Sequence, residues 1–222
     1  MSWSEVTLMF AVALLVLLWW VWVAASRLDR LHRKASTSRA ALDNQLVRRA
    51  SAAAELASSG LLDPVSSVLV GEAAWAALSA GGYGRSELVA ALPDLPELAD
   101  GVATDARPSG TPSDGAQEPL GPADRDMAES ELSRTIRAAL EDPGEVELLR
   151  SVPLGAELVD ALAAAWYRVQ LSRRFHNEAA TQTQRMRRKL LVRLLRLPGH
   201  ATMPHTVEID DAWPEAFPRP GA

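Results

Sequence analysis

Two clusters of polar residues contain the side chains whose chemistry could support a binding or catalytic site. The first cluster comprises Asp43, Gln45, Arg48 and Arg49. The second cluster comprises Arg173, Arg174, His176 and Asn177. Guanidinium groups beside a carboxylate and an imidazole could bind an anionic ligand or move a proton. The same groups could instead form a hydrogen-bonded ion-pair network that fixes the register of two helices, and this is the interpretation we favour.

The wider composition argues against catalysis. Neither cluster contains an activated nucleophile, a set of metal ligands or a glycine-rich phosphate loop. The chain has no cysteine and only four histidines, so disulfides, a thiolate nucleophile and a closed zinc site are not expected. We therefore predict that the protein is not an enzyme and has no metal or cofactor. A ligand-binding or catalytic site around Asp43, Arg174 and His176 remains the alternative.

The elements that must position these clusters are helices. Apolar or small residues recur at helical spacing along residues 28–57 and again along residues 158–194, and the sequence has no hairpin signal or alternating run. The expected fold is all-α. If Leu28 lay level with Arg196 in an antiparallel pair, the two polar clusters would lie within about one helical turn of each other.

An uncharged segment of 21 residues, Val6–Ser26, lies at the N-terminus. At ~1.5 Å per residue a helix of this length spans roughly 31 Å, about the thickness of the hydrocarbon core of a bilayer. Tryptophans near both ends suit the headgroup level. A cleaved signal peptide is the competing interpretation, but the N-terminal flank lacks a basic residue and the apolar run is too long. We predict a permanent anchor over residues 1–26.

The charges that flank this segment predict its orientation. Four basic residues follow it, whereas only Glu5 precedes it. By the positive-inside rule, the N-terminus should lie outside the cell membrane and residues 27–222 in the cytoplasm. The absence of cysteine agrees with a reducing compartment.

The remaining chain divides by composition. We expect two bundle helices in residues 27–82 and two more in residues 122–199, joined as an antiparallel up-down bundle of about four helices. Between them, residues 83–121 are rich in proline, glycine and acids, which predicts a disordered linker. Residues 200–222 are expected to form a flexible acidic tail.

Basic residues are concentrated near the predicted membrane surface. We expect contact between these side chains and the headgroups of anionic lipids in the inner leaflet, although a solvated basic face would satisfy the same topology. Nucleic-acid binding is less favoured, because the block lacks interleaved aromatic residues and the net charge of the chain is −5. The residues concerned are Arg27, Arg30, Arg33, Lys34, Arg185, Arg187, Arg188, Lys189, Arg193 and Arg196.

Similarity to a known family is carried by Leu42–Arg49, Ala128–Ser133, Ser172–Ala179 and the ending from Leu197 to Glu208; these four segments resemble the LemA family. Leu42–Arg49 is similar to the I-D-V-Q-L-K-R-R segment of that family, and Ser172–Ala179 is similar to its A-R-R-x-Y-N-x-A-V signature. Ala128–Ser133 matches the start of a family helix, and the ending from Leu197 to Glu208 parallels the close of the family. The resemblance covers roughly residues 5–60 and 127–210.

The chain also departs from the family pattern. Asn44 occupies a position where a small apolar residue is usual, alanine-rich sequence replaces a proline-containing stretch, and the linker looks like an insertion. The resemblance implies a divergent, membrane-anchored antiparallel helical bundle with no established enzymatic activity. From the residues and the resemblance together, we expect a scaffold or interaction module at the inner leaflet, in contact with the bilayer and with an unknown protein partner. Tethering of nucleic acid to the membrane is a further alternative.

Overall fold

The computed structural model describes residues 3–81, 121–189, 192–193 and 202–218. Within these ranges there are five helices and no strand, so the prediction of an all-α fold is confirmed for the described residues. Apart from Gly121, the predicted disordered linker (83–121) lies outside the described residues. The helices are α1 (Trp3–Ser58), α2 (Pro64–Ala80), α3 (Pro122–Ala139), α4 (Pro143–Ser151) and α5 (Pro153–Arg187).

Local sequence explains where the helices begin and end. Gly60, just after α1, has a φ of 74°, a left-handed conformation that glycine adopts without the steric cost of a Cβ atom. The carboxylate of Asp63 then accepts hydrogen bonds from the backbone N–H groups of Val65 and Ser66, and Pro64 is the first residue of α2. Asp142 caps α4 in the same way. The predicted end of α1 and start of α2 are confirmed.

The chain forms two compact units, and both α1 and α5 contribute to each of them. Unit 1 comprises Met1–Leu42 and Leu171–Val207. Unit 2 comprises Asp43–Gln170 and Glu208–Ala222.

In unit 1, α1 and α5 run antiparallel. Leu28 and Met186 belong to one buried apolar cluster, the Thr183 hydroxyl lies 3.4 Å from the Leu31 carbonyl oxygen, and the Ser38 hydroxyl lies 3.2 Å from Nδ1 of His176. As the residue number of the contacting residue rises along α1, that of its partner on α5 falls by the same amount. This register differs by ten residues, about 15 Å of helix, from an alignment of Leu28 with Arg196.

The sequence indicates a last helix from about Gly155 to Leu197. In the structure α5 ends at Arg187, Val192 and Arg193 beyond it are again helical, and residues 194–197 lie outside the described residues. Arg185 and Arg187 lie in its last turn, where positive side chains interact favourably with the helix dipole and its free carbonyl groups. These charges stabilise the C-terminal end of α5.

The core of unit 2 is built from facing apolar stripes. Alanines of α1 and α2, including Ala50, Ala53 and Ala74, are fully buried and permit close approach of the helices. Larger side chains of α3 and α5, among them Leu132 and Trp166, occupy the rest. The sequence periodicity predicted the α1 and α5 stripes, and most of their described residues are buried.

Part of the segment predicted to be a flexible acidic tail (200–222) packs against helices in the described structure. Residues 208–218 have no regular secondary structure, yet Phe217 lies in the core of unit 2 with its ring edge-to-face against Trp166. Val207 is also buried, within unit 1. Burial of aromatic and branched side chains compensates the entropy lost when the segment becomes ordered.

Candidate functional site

A buried ion pair lies at the centre of unit 2. The guanidinium of Arg49, on α1, donates to the Glu129 carboxylate at 2.8 Å and to the Glu129 carbonyl oxygen at 3.0 Å. It also donates to the Ser133 hydroxyl at 2.9 Å, and its central carbon lies 5.0 Å from the ring centroid of Trp166. Arg49 and Ser133 are fully buried and Glu129 is nearly so. This group, Arg49, Glu129, Ser133 and Trp166, is called the arginine centre below.

Burial dominates the electrostatics of the arginine centre. Desolvation raises the pKa of Glu129, and the positive charge and hydrogen bond of Arg49 offset part of that rise. The Nε atom of Arg49 is buried without a hydrogen-bond partner. The cation lies instead against the face of Trp166, which attracts positive charge. The centre thus holds three helices in one arrangement, because breaking it would leave a buried charge uncompensated.

The other members of the first predicted cluster have separate surroundings. Asp43 forms an ion pair with Arg125 at 3.0 Å, near the start of α3. Oε1 of Gln45 is buried without a hydrogen-bond partner, and Arg48 is exposed to solvent.

Two members of the second predicted cluster form hydrogen bonds that connect segments of unit 1. His176 is buried, with Nδ1 beside the Ser38 hydroxyl and Nε2 3.1 Å from the carbonyl oxygen of His205. Asn177 makes two hydrogen bonds to the backbone of Val207. Its Nδ2 donates to the carbonyl oxygen, and its Oδ1 accepts from the backbone N–H. Together these side chains hold residues 205–207 against α5.

The predicted clusters therefore belong to different units. Asp43, Gln45, Arg48 and Arg49 are in unit 2, whereas Arg173, Arg174, His176 and Asn177 are in unit 1. Arg174 is exposed. The partners of Arg49 and of His176 each lie within the same unit as the residue itself. Because both ring nitrogens of His176 are within hydrogen-bond distance of protein groups, its geometry is that of a structural residue.

Sequence reasoning missed the acidic partner of Arg49. Glu129 lies three residues before Leu132 and seven before Ile136, both fully buried on α3. That spacing places Glu129 on the apolar face of an amphipathic helix. A carboxylate in such a position requires a buried cationic partner, and this was the available signal. Arg137, which binds both carboxylate oxygens of Asp210, was also missed.

The basic residues predicted to contact lipid are mostly exposed. Arg187 is half-buried and near Thr202, whose carbonyl oxygen accepts its hydrogen bond, while Arg196 lies outside the described residues. Arg33 pairs with Asp29 at 2.6 Å. The exposed members of the set are Arg27, Arg30, Arg33, Lys34, Arg185, Arg188, Lys189 and Arg193.

The N-terminal part of α1 exposes almost its whole apolar surface. Among the described residues it is the one helix long and apolar enough to cross a membrane, with only 6% of its most apolar window buried. Large side chains such as Leu15 and Trp22 are about two-thirds exposed, at 64% and 66%. The described part of the chain contains no group of three or more acidic or histidine side chains that could hold a metal ion.

No family model, curated protein or solved structure matches this chain. The class of protein is therefore defined by its own geometry. In its described part it is a helical protein with one apolar N-terminal helix of membrane-spanning length, and the buried side chains of Arg49 and His176 bind groups within their own compact units.

Proposed function

We propose that this chain is a single-pass membrane protein whose helices form a scaffold or interaction module at the inner leaflet. The observation that carries the proposal is the exposed apolar surface of α1 over about residues 6–23. The same helix continues without a break into a part whose apolar side chains are buried in the protein. Such a large apolar surface is unfavourable in water, whereas the hydrocarbon core of a bilayer would cover it. The basic residues that follow it favour a cytoplasmic position for the rest of the chain.

The proposal includes a finer architecture. The four longer helices would form one antiparallel up-down bundle, with the N-terminus outside the cell membrane. The antiparallel pairing of α1 and α5 in unit 1 supports this arrangement. We further propose that the protein is a divergent relative of the LemA family, on the strength of Leu42–Arg49 and Ser172–Ala179.

A non-catalytic role is supported by the use of the polar residues. The polar side chains best suited to a binding or catalytic role form hydrogen bonds inside the protein. They are those of Arg49, His176 and Asn177. By contrast, α2 exposes Val68 and Trp75, which are 60% and 72% accessible. Exposed apolar and aromatic side chains are the kind of group that protein interfaces use. These observations favour interaction over catalysis.

The absence of cysteine permits a direct test of topology. Single-cysteine variants Ser4→Cys and Ser36→Cys lie on opposite sides of the apolar segment, and the parent chain gives no background labelling. With a membrane-impermeant maleimide, Ser4→Cys should react in intact cells and Ser36→Cys only after permeabilisation. The reverse pattern would contradict the proposed orientation.

Membrane anchoring needs its own measurement. The full-length chain should stay in the membrane pellet after extraction with alkaline carbonate, whereas a variant lacking residues 6–26 should be released. Release of the full-length chain by carbonate would overturn the proposed anchor. Retention of the shortened variant would show that another part of the chain inserts.

A further inference from the structure

A groove opens in unit 1 beside the end of the apolar segment. It has a volume of about 390 Å³, within the range of pockets that hold small ligands. It is largely apolar, and its cations are Arg27 on α1 and Lys189 just beyond α5. Its described lining consists of Trp20, Val23, Ala24, Arg27, Met186, Lys189 and Val192.

Within the described part of the chain, neither cation of the groove, Arg27 or Lys189, forms an ion pair. The nearby carboxylate of Asp29 is bound by Arg33 at 2.6 Å. Both groove cations are exposed, so an incoming anion can reach them without displacing a protein partner.

The order of groups along the groove follows the order of groups in a phospholipid. Trp20 and Arg27 are separated by seven residues of α1, about 10 Å along the helix axis. If α1 spans the membrane, Trp20 and Val23 lie where the inner ends of the acyl chains meet the headgroups, with the amphipathic tryptophan ring at that boundary, and Arg27 lies at the depth of the headgroups. A single lipid molecule could therefore satisfy the apolar floor and the two cations at once.

We propose that this groove binds one anionic phospholipid of the inner leaflet. Its phosphate lies between Arg27 and Lys189, and one acyl chain packs along Trp20, Val23 and Ala24. The inference rests on the proposed function, because the groove meets lipid only when α1 is inserted. Charge complementarity identifies the occupant, since two uncompensated cations prefer a lipid of net negative charge to a zwitterionic one.

The test measures lipid retained by the intact protein. Full-length protein is purified in mixed micelles containing equal amounts of phosphatidylglycerol and phosphatidylcholine, and bound lipid is counted by native mass spectrometry. We expect one retained phosphatidylglycerol and at least a fivefold preference over phosphatidylcholine. Equal retention of the two lipids, or no retention, would overturn the proposal.

Two variants and a matched control separate the groove from general basic charge. The double variant Arg27→Gln/Lys189→Gln should lose at least fivefold in phosphatidylglycerol retention. The control Arg30→Gln/Arg188→Gln removes the same charge from exposed residues that do not line the groove, and should stay within twofold of the parent. Equal losses in both double variants would indicate diffuse attraction and would contradict a built site.

A third variant tests the apolar part of the groove. Ala24→Phe keeps both cations but fills the floor, so lipid retention should again fall at least fivefold. Unchanged retention would overturn the acyl-chain contact. The helical circular dichroism of each variant is compared with that of the parent, and a variant that loses helix is replaced by the smaller change Ala24→Leu. Carbonate extraction of the same proteins keeps a failure of the groove distinct from a failure of the anchor.

Discussion

The guanidinium of Arg49 is held between a carboxylate and an aromatic face, with its central carbon 5.0 Å from the ring centroid of Trp166. Arg49 belongs to α1 and Trp166 to α5, and the Glu129 carboxylate comes from α3. A single buried side chain thus joins three helices of unit 2. The cation loses its hydration, but its charge-assisted hydrogen bonds and the electron-rich ring compensate much of that loss.

Removing one charge of this pair should be costly. Arg49→Met should lower the free energy of unfolding by about 3–5 kcal/mol, because Glu129 would remain buried without its cation. The measurement is chemical unfolding of the full-length chain in detergent micelles, followed by circular dichroism. The double variant Arg49→Met/Glu129→Met should recover much of the loss, because no buried charge would then be left unpaired.

An exposed ion pair on α3 provides the control for that experiment. Arg134 and Glu131 lie 2.6 Å apart, with side chains about 60% exposed. Arg134→Met should change the free energy of unfolding by no more than about 1 kcal/mol. If Arg49→Met cost as little as Arg134→Met, the arginine centre would not stabilise unit 2.

The packed C-terminal segment should contribute measurably to stability. Phe217 is buried against Trp166 and Trp213, and Phe217→Ala should cost about 3–5 kcal/mol through lost burial and the cavity left behind. Phe175 is more than half exposed, so Phe175→Ala should stay within about 0.5 kcal/mol of the parent. Equal unfolding midpoints for Phe217→Ala and the parent would contradict the packing of this segment.

Acid should loosen the same segment. The hydrogen bond from Arg137 holds the pKa of Asp210 below its ordinary value of 3.8. The stabilisation is therefore present above about pH 3.8 and is lost as the pH falls through the lower pKa of the folded state. Amide hydrogen exchange of residues 208–217 should accelerate between pH 5 and pH 3, after correction for the intrinsic exchange rate.

The variant Asp210→Asn is the comparison for this pH effect. It keeps the size of the side chain but removes the titrating carboxyl group, so exchange of the segment should be faster at pH 5. Its further acceleration on going to pH 3 should be smaller than that of the parent. An equal acceleration in both proteins would assign the acid effect to other groups.

A second pH dependence should arise from His32 in unit 1. Burial lowers the pKa of His32 below its ordinary value of 6.5, and the charge of Arg187 lowers it further, while Asp29 acts in the opposite direction. Its Nε2 atom is buried without a hydrogen-bond partner. The folded state favours the neutral form of His32. The stability associated with that neutral form is therefore complete above about pH 6.5 and is lost as the pH falls through the lowered pKa of the folded state.

The test compares unfolding at pH 7.5 and pH 5.5. Stability of the full-length chain should fall on acidification, and His32→Leu should reduce that fall. His205→Leu removes an exposed imidazole instead and serves as the control. If His32→Leu retained the full pH dependence, the His32 imidazole would not be its source.

Local features made much of the helical structure predictable from the sequence. The end of α1 at Gly60 and the start of α2 at Asp63-Pro64 follow from backbone conformation and capping, which involve neighbours along the chain. The register of α1 against α5 was not predictable in this way. Alanine-rich stripes repeat at every turn and permit several alignments, so the register depends on longer-range contacts such as that between Ser38 and His176.

The sequence by itself determined that the chain is helical, where several helices begin or end, and that one segment is apolar and long enough to span a bilayer. These properties depend on neighbouring residues and on length. Only the tertiary structure decided that Arg49 binds Glu129, that His176 binds inside unit 1, and that Phe217 lies in a core. The partners in these contacts are between 29 and 138 positions apart in sequence. Burial of their polar side chains becomes favourable only when all the partners meet.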